Sequence, residues 1–113
     1  MLNQSILVGR IVRDPEIRKT EEGTTVTNVT LAVQRPYKNK EGEYETDFIT
    51  CVLWKGVAET TAEYCQKGDL IGVRGRIQTF KNNEDKTEIN VVAERVTFLS
   101  SKKMPDKEEI DAR

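Results

Sequence analysis

The run Phe48-Ile49-Thr50-Cys51-Val52-Leu53-Trp54 limits what this chain can fold into more than any other stretch. It is rich in β-branched and aromatic residues and has neither Gly nor Pro, which is strand chemistry. Side chains alternate faces along a strand, so Ile49, Cys51 and Leu53 share one face and Phe48, Thr50, Val52 and Trp54 the other. The first face is small and apolar and suits a core. The second carries two large aromatics six residues apart, roughly 20 Å at about 3.3 Å per residue. That span would seat several flat groups such as stacked bases. Two readings fit: both aromatics lie in a strand covered on two sides, or they stand exposed as a platform. The strand alone does not choose.

The rest of the sequence sets the frame. A chain of 113 residues, 33% charged and 36% hydrophobic, fits one soluble domain with a single core. No apolar run approaches a membrane span. Met1-Leu2-Asn3-Gln4 has neither a basic start nor a long apolar stretch, so the cytoplasm is the expected location and no membrane association is expected. The two cysteines, Cys51 and Cys65, come without any histidine. That set supports no zinc site and no other metal or cofactor. In a reducing compartment the cysteines are expected to be small buried apolar groups rather than a disulfide. The commonest general base is absent, and no nucleophile–base pair or phosphate-binding glycine loop appears, so an enzyme is not expected.

A net charge of −1 argues against nucleic-acid binding by the usual basic-footprint rule. The rule concerns faces, however. Arg10, Arg13, Arg18, Lys19, Arg35, Lys38, Lys40, Lys55, Arg74, Arg76, Lys81 and Lys86 fall on or beside expected strands and loops. Much of the acid falls elsewhere, on an expected helix (Glu59, Glu63) and near the end of the chain (Asp106, Glu108, Glu109, Asp111).

Taken in order, Ser5 to Val12 reads as a strand interrupted by Gly9, a mark of a bulge or a close backbone approach. Arg13 to Glu16 reads as a turn around Pro15, and Glu21-Glu22-Gly23 as another. Thr24 to Gln34 is a half-buried strand with Val29, Leu31 and Val33 inward. Pro36 to Glu45 reads as a polar loop, either a plain solvated connection or a basic flap with Tyr37 at its root. Val57 to Lys67 has helical spacing and ends in a basic turn stopped by Gly68, with Tyr64 packed inward. Asp69 to Lys81 is a fourth strand with Ile71, Val73, Gly75 and Ile77 on one face. Thr87 to Leu99 is a fifth, with Ile89 and Val91 opposed to Val92, Val96 and Phe98. Residues 1–99 therefore form the expected domain, and 100–113 an expected disordered, charge-balanced tail.

Three strands, one helix and two strands, all with antiparallel patterning, close naturally as a five-stranded Greek-key barrel of the OB-fold type, an all-β architecture with a short helix between the third and fourth strands. The residues also carry a resemblance. Asn3 to Arg10 (NQSILVGR), Asp14 to Arg18 (DPEIR), Asn28 to Ala32 (NVTLA), Val52-Leu53-Trp54, Ala62-Glu63-Tyr64, Lys67-Gly68 and Gly75 to Thr79 (GRIQT) together resemble the bacterial-type single-stranded DNA-binding protein (SSB) family. The likeness runs from about Asn3 to Leu99.

The resemblance implies sequence-independent binding and protection of single-stranded DNA by a homotetramer, in replication, recombination, repair or DNA uptake, close to the nucleoid. It carries family stacking positions onto Tyr37, Phe48 and Trp54. A further family aromatic falls at Asn82 here; Phe80, two residues earlier on the same face, is the candidate substitute. Arg10, Lys38, Lys55, Arg74 and Arg76 are the expected phosphate contacts, each weighed against being an ordinary solvated charge. The final residues Asp111-Ala112-Arg113 do not form the acidic tip with a terminal Phe by which family members recruit replication and repair enzymes, so a short form without tail-mediated recruitment is expected. A protein-interaction OB-fold and an RNA-binding one are the competing readings from the residues.

Overall fold

A computed structural model of the chain describes residues 1–100 and 109–111. The described elements are β1 (Ser5–Ile11), β2 (Arg18–Lys19), β3 (Thr25–Lys38), β4 (Tyr44–Trp54), α1 (Lys55–Tyr64), β5 (Leu70–Lys81), β6 (Thr87–Ser100) and β7 (Glu109–Asp111). Five of these strands close on themselves. β1 pairs antiparallel with β5, β5 with β6, and β3 with β4, while β4 meets β6 in parallel at Cys51–Val91 and Val52–Val92. The ring shuts where the end of β1 turns from β5 onto β3, pairing Arg10 with Ala32 and Ile11 with Leu31. With α1 between β4 and β5, this is the OB-fold barrel expected from the element order.

Two glycines make closure feasible. A Cβ on Gly9 would lie 2.7 Å from the Ala32 carbonyl oxygen, and one on Gly75 only 2.0 Å from that of Val92. Both are close backbone approaches that a side chain would block. Inside the barrel, Ile11, Val29, Leu31, Cys51, Leu53, Ile71, Val73, Val96 and Phe98 pack against Val57, Ala58 and Cys65 from the helix side. Burial pushes the Cys51 thiol up to about 12, so it sits in the core as a neutral group. Tyr64 is half-buried against that core, its ring centroid 6.4 Å from that of Phe98.

The structure departs from the sequence pattern at four places. First, the expected loop from Pro36 to Glu45 is mostly strand: β3 and β4 run on to a Lys38–Tyr44 pair and leave only Asn39–Glu43 to turn. Asn39 Oδ1 accepts hydrogen bonds from the Glu41 and Glu43 amides, and Gly42 takes φ 78°, so a side-chain-capped turn makes a built hairpin of it. Second, the helix stops at Tyr64. Lys67 and Gly68 belong to the following turn, where Gly68 at φ 91° donates its amide to the Ile11 carbonyl, and Asp69 accepts from the Gln66 amide. Third, Val91 shares the core with Val96 and Phe98 instead of opposing them. A bulge shifts the register between Arg74–Arg95 and Gly75–Ala93, leaving Glu94 as an extra residue, and one extra residue reverses face parity. Fourth, Ile77, which shares its expected face with the buried Ile71 and Val73, is exposed, and so is Ile89.

The two-residue strand β2, which leaves no periodic signal, pairs Arg18 with Val26 and Lys19 with Thr25. It is tied down by Thr27 Oγ1 donating to the Glu16 carbonyl at 2.7 Å and by Lys19 Nζ donating to Thr25 Oγ1 at 2.7 Å. The expected tail falls largely on positions 101–108 and 112–113, outside the described residues; Ser100 completes β6, and Glu109–Asp111 pair with Arg95–Thr97 of that strand.

Candidate nucleic-acid interface

The outward face of β3 and β4 is a ladder of cross-strand pairs: Val26–Trp54, Asn28–Val52, Thr30–Thr50, Ala32–Phe48 and Gln34–Thr46. Facing pairs on one side of an antiparallel sheet lie about 5 Å apart, so this is one continuous surface. Phe48 is 67% exposed and Trp54 37%. Neither is a core residue; between them lie only small or flat side chains. The other edge of β3 adds a second regularity. Arg10 of β1 pairs with Ala32, and Arg18 of β2 pairs with Val26. Each aromatic of β4 is thus aligned across β3 with an arginine, in the rows Arg10–Ala32–Phe48 and Arg18–Val26–Trp54.

Arg10 is held in place by Nη1, which donates to the Gly68 carbonyl at 2.9 Å. A guanidinium has five donors, so the rest stay available. Beside it a groove of about 480 Å3 runs between Val8, Ala32, Gln34, Thr46 and Leu70. Arg18 reaches Asn28 Oδ1 at 3.4 Å over a cleft of about 650 Å3 that Arg13 and Lys67 also line. Asp14 and Glu16 share that cleft, but Asp14 Oδ1 is engaged by the Lys67 amide at 2.7 Å.

Trp54 sits at a corner. It is the last residue of β4 and precedes Lys55, whose φ of 55° is left-handed and costs a non-glycine residue about 1–2 kcal/mol. That corner turns the chain into α1 and leaves the indole against the Thr20–Thr24 turn, forming a recess of about 370 Å3 with Thr20, Glu21, Glu22 and Thr24. Lys55 itself is exposed.

Further along the β3–β4 hairpin, Tyr37 is 65% exposed, and Lys38 Nζ lies 5.7 Å from the Tyr44 ring centroid. Arg35 is committed elsewhere: its guanidinium grips Asp47 at 2.9 Å and Glu45 at 2.6 Å. Hydrogen bonding to Asp47 raises the Arg35 pKa, and the same bond holds the Asp47 carboxyl below its ordinary value.

The candidates on β5 lie one strand further round the barrel than β1. Arg74 pairs with Ile6 across an apolar recess of about 220 Å3 that also takes in Val8, Thr97 and Leu99. Arg76 is paired with Glu94 at 3.4 Å and reaches Gln78. Phe80 is half-buried near the tip of the β5–β6 hairpin, opposite Glu88. Asn82 has a structural task, since its Oδ1 accepts from the Glu84 and Lys86 amides. This repeats the Asn39 turn bond for bond, and it accounts for an asparagine standing where the resemblance leads one to expect an aromatic. Among the described residues there is no group of three or more metal-ligating side chains, and no helix is long and apolar enough to cross a membrane.

A sheet face with exposed aromatics, flanking guanidinium groups and flat, small residues between them can stack unpaired bases and meet phosphates, without a donor–acceptor code that would read sequence. Such a face on an OB-fold defines a class of single-strand nucleic-acid binders. Comparison with known proteins is more specific. Residues 2–99 match the single-strand binding protein family, and the chain belongs to that family. It is 53% identical over 103 residues to the single-stranded DNA-binding protein of Halalkalibacterium halodurans, covering 88% of this chain and 61% of that one. It is 49% identical over 107 residues to single-stranded DNA-binding protein B of Bacillus subtilis, covering 90% and 94%. It is 51% identical over 108 residues to single-stranded DNA-binding protein 3 of Listeria innocua, covering 90% and 66%.

Proposed function

We propose that this chain binds and protects single-stranded DNA without regard to sequence, as a binding protein and not an enzyme, in DNA replication, recombination, repair or uptake. The observation that carries the reading is the exposed Phe48–Trp54 face in a member of the single-strand binding protein family. Bases stack on Phe48 and Trp54, with Tyr37 extending the platform up the hairpin and Phe80 serving the other one. Every base has a π-face, so stacking tolerates any sequence, at about 1–3 kcal/mol per base. Arg10, Lys38 and Lys55 border that platform and meet phosphates; Arg74 and Arg76 extend the track if the strand wraps onto β5. The protein acts in the cytoplasm, on stretches of nucleoid DNA that are transiently unpaired.

Copies of the chain assemble as a homotetramer. In support, Ile6 and Val8 on β1 are large and exposed beside the apolar recess of Arg74, Thr97 and Leu99. That face lies on β1 and β5, and Val8 also lines the groove beside Arg10, so the assembly surface adjoins the stacking surface along β1.

Fluorescence anisotropy tests the binding reading. Labelled oligo(dT) and a duplex of the same length are titrated with protein at several salt concentrations. Tight binding of oligo(dT), weakening steeply with salt, and much weaker duplex binding are expected. Equal affinity for both would overturn it. Sedimentation equilibrium tests the assembly, with four times the 12.9 kDa chain mass expected and a monomer contradicting it.

A further inference from the structure

Resting on the reading just given, we propose that Arg18 is a phosphate-binding residue, anchoring the DNA backbone beside the base stacked on Trp54 as Arg10 does beside Phe48. Three observations carry this. The sheet register places Arg18 in one row with Val26 and Trp54, and Arg10 in one row with Ala32 and Phe48. The two rows are six residues apart on β3, the same interval that separates the aromatics on β4. Arg18 is exposed, and Nη2 donates a long 3.4 Å hydrogen bond to Asn28 Oδ1, which engages one of the five guanidinium donors. Finally, Arg18 opens onto the cleft that Arg13 and Lys67 also line, so a phosphate there meets three cations against the two carboxylates of Asp14 and Glu16, the first of which accepts from the Lys67 amide. A strand laid along β4 would then have its bases over β4 and its phosphates over the β1–β2 edge of β3, at both ends of the platform.

The contrast with Arg35 sharpens the assignment. Arg35 also lies on β3, but its fork is filled by Asp47 and Glu45, so it stiffens the hairpin stem and offers no free charge. A guanidinium committed to two carboxylates gains little from a phosphate that must displace them.

The test is oligo(dT) binding across a salt series for the wild type, Arg18→Gln and Arg18→Lys. Each phosphate contact on a single strand contributes about 0.7 to the slope of log affinity against log salt. Arg18→Gln is expected to flatten the slope by about 0.7 and to weaken low-salt binding by up to about fivefold. Arg18→Lys is expected to restore the slope, because a point charge suffices for counterion release. In a second measurement on the unaltered protein, the side-chain Nε–H resonance of Arg18 shifts on adding oligo(dT) while that of Arg35 stays. An unchanged slope in Arg18→Gln, or an unmoved Arg18 resonance, with oligo(dT) still bound, overturns the inference and leaves the single-strand reading standing. Failure of the wild type to bind oligo(dT) overturns both.

Discussion

The two ends of β4 present the same chemistry in different settings. Phe48 projects from the middle of a long hairpin stem, two-thirds exposed, with Arg10 across the sheet and a polar groove alongside. Trp54 ends the strand, little more than a third exposed, wedged between the left-handed Lys55 corner and a turn that carries Glu21 and Glu22. Both have the outward parity of one strand. What separates them is what the neighbouring segments do: an open ribbon at one end, a strand-to-helix corner and a capped turn at the other. Parity decides which face an aromatic takes; the connections decide how much of it a ligand can reach.

The most drastic way to break the comparison is to remove the scaffold both ends share. In Gly75→Val the new side chain would begin 2.0 Å from the Val92 carbonyl oxygen, in backbone that cannot yield cheaply. A loss of about 3 kcal/mol or more is expected in urea denaturation, at the upper end for overpacking, and both stacking sites should go together.

Phe48→Ala and Trp54→Ala separate the ends. Each should weaken oligo(dT) binding by about 1–3 kcal/mol, roughly 5- to 150-fold. Only Trp54→Ala should also lower the melting temperature, because its indole covers Val26 and the turn while Phe48 covers little. Equal thermal losses would mean that the exposure difference has no energetic content.

Smaller effects follow at the Trp54 corner. Lys55→Gly relieves a left-handed residue, and after glycine's own entropic cost a net gain of about 0.5–1 kcal/mol in stability is expected. The salt slope should fall by about 0.7, the value of the one phosphate contact proposed for Lys55. Neutralising the carboxylates in Glu21→Gln/Glu22→Gln should tighten oligo(dT) binding less than about fivefold, since exposed charges interact weakly; at the Phe48 end the neighbouring carboxylates, Glu45 and Asp47, are instead engaged by Arg35.

At the Phe48 end the sensitive variable is pH. The Asp47 carboxyl is held below its ordinary value by Arg35, so the folded hairpin binds fewer protons there than the unfolded chain. Its contribution is full above the ordinary carboxylate range and is lost as pH falls through the lowered value. Amide exchange in the Arg35–Asp47 stem should therefore quicken under acid conditions, and Asp47→Asn should abolish that dependence.

Much of this was legible in the sequence, and particular residues show why. Ile49, Cys51 and Leu53 announce an inward face because strand alternation is local geometry, and the order of strands around one helix points to the barrel. Gly9 signals its close approach for the same reason. The face of Val91 relative to Phe98 is not legible because a single bulge at Glu94 reverses parity, and the glycine beside it, Gly75, stands on the partner strand. The extent of the β3–β4 ribbon is hidden by the polar residues Lys38, Asn39 and Lys40: Lys38 pairs with Tyr44, while Asn39 and Lys40 lie in the Asn39-capped turn that sets this register. At the candidate site, Phe48, Trp54 and Arg10 stand out by type and spacing. Arg18 does not, since a two-residue strand has no period and its row with Trp54 exists only in the sheet register.

The most direct test of the stacking face is a titration of intrinsic fluorescence with oligo(dT) and, separately, with duplex DNA. Trp54 is the only tryptophan, so the signal arises from that one position. Strong quenching by oligo(dT), weakened by salt and absent with duplex, is the predicted result. Tight oligo(dT) binding that leaves Trp54 emission unchanged would contradict the assignment of β4 as the platform.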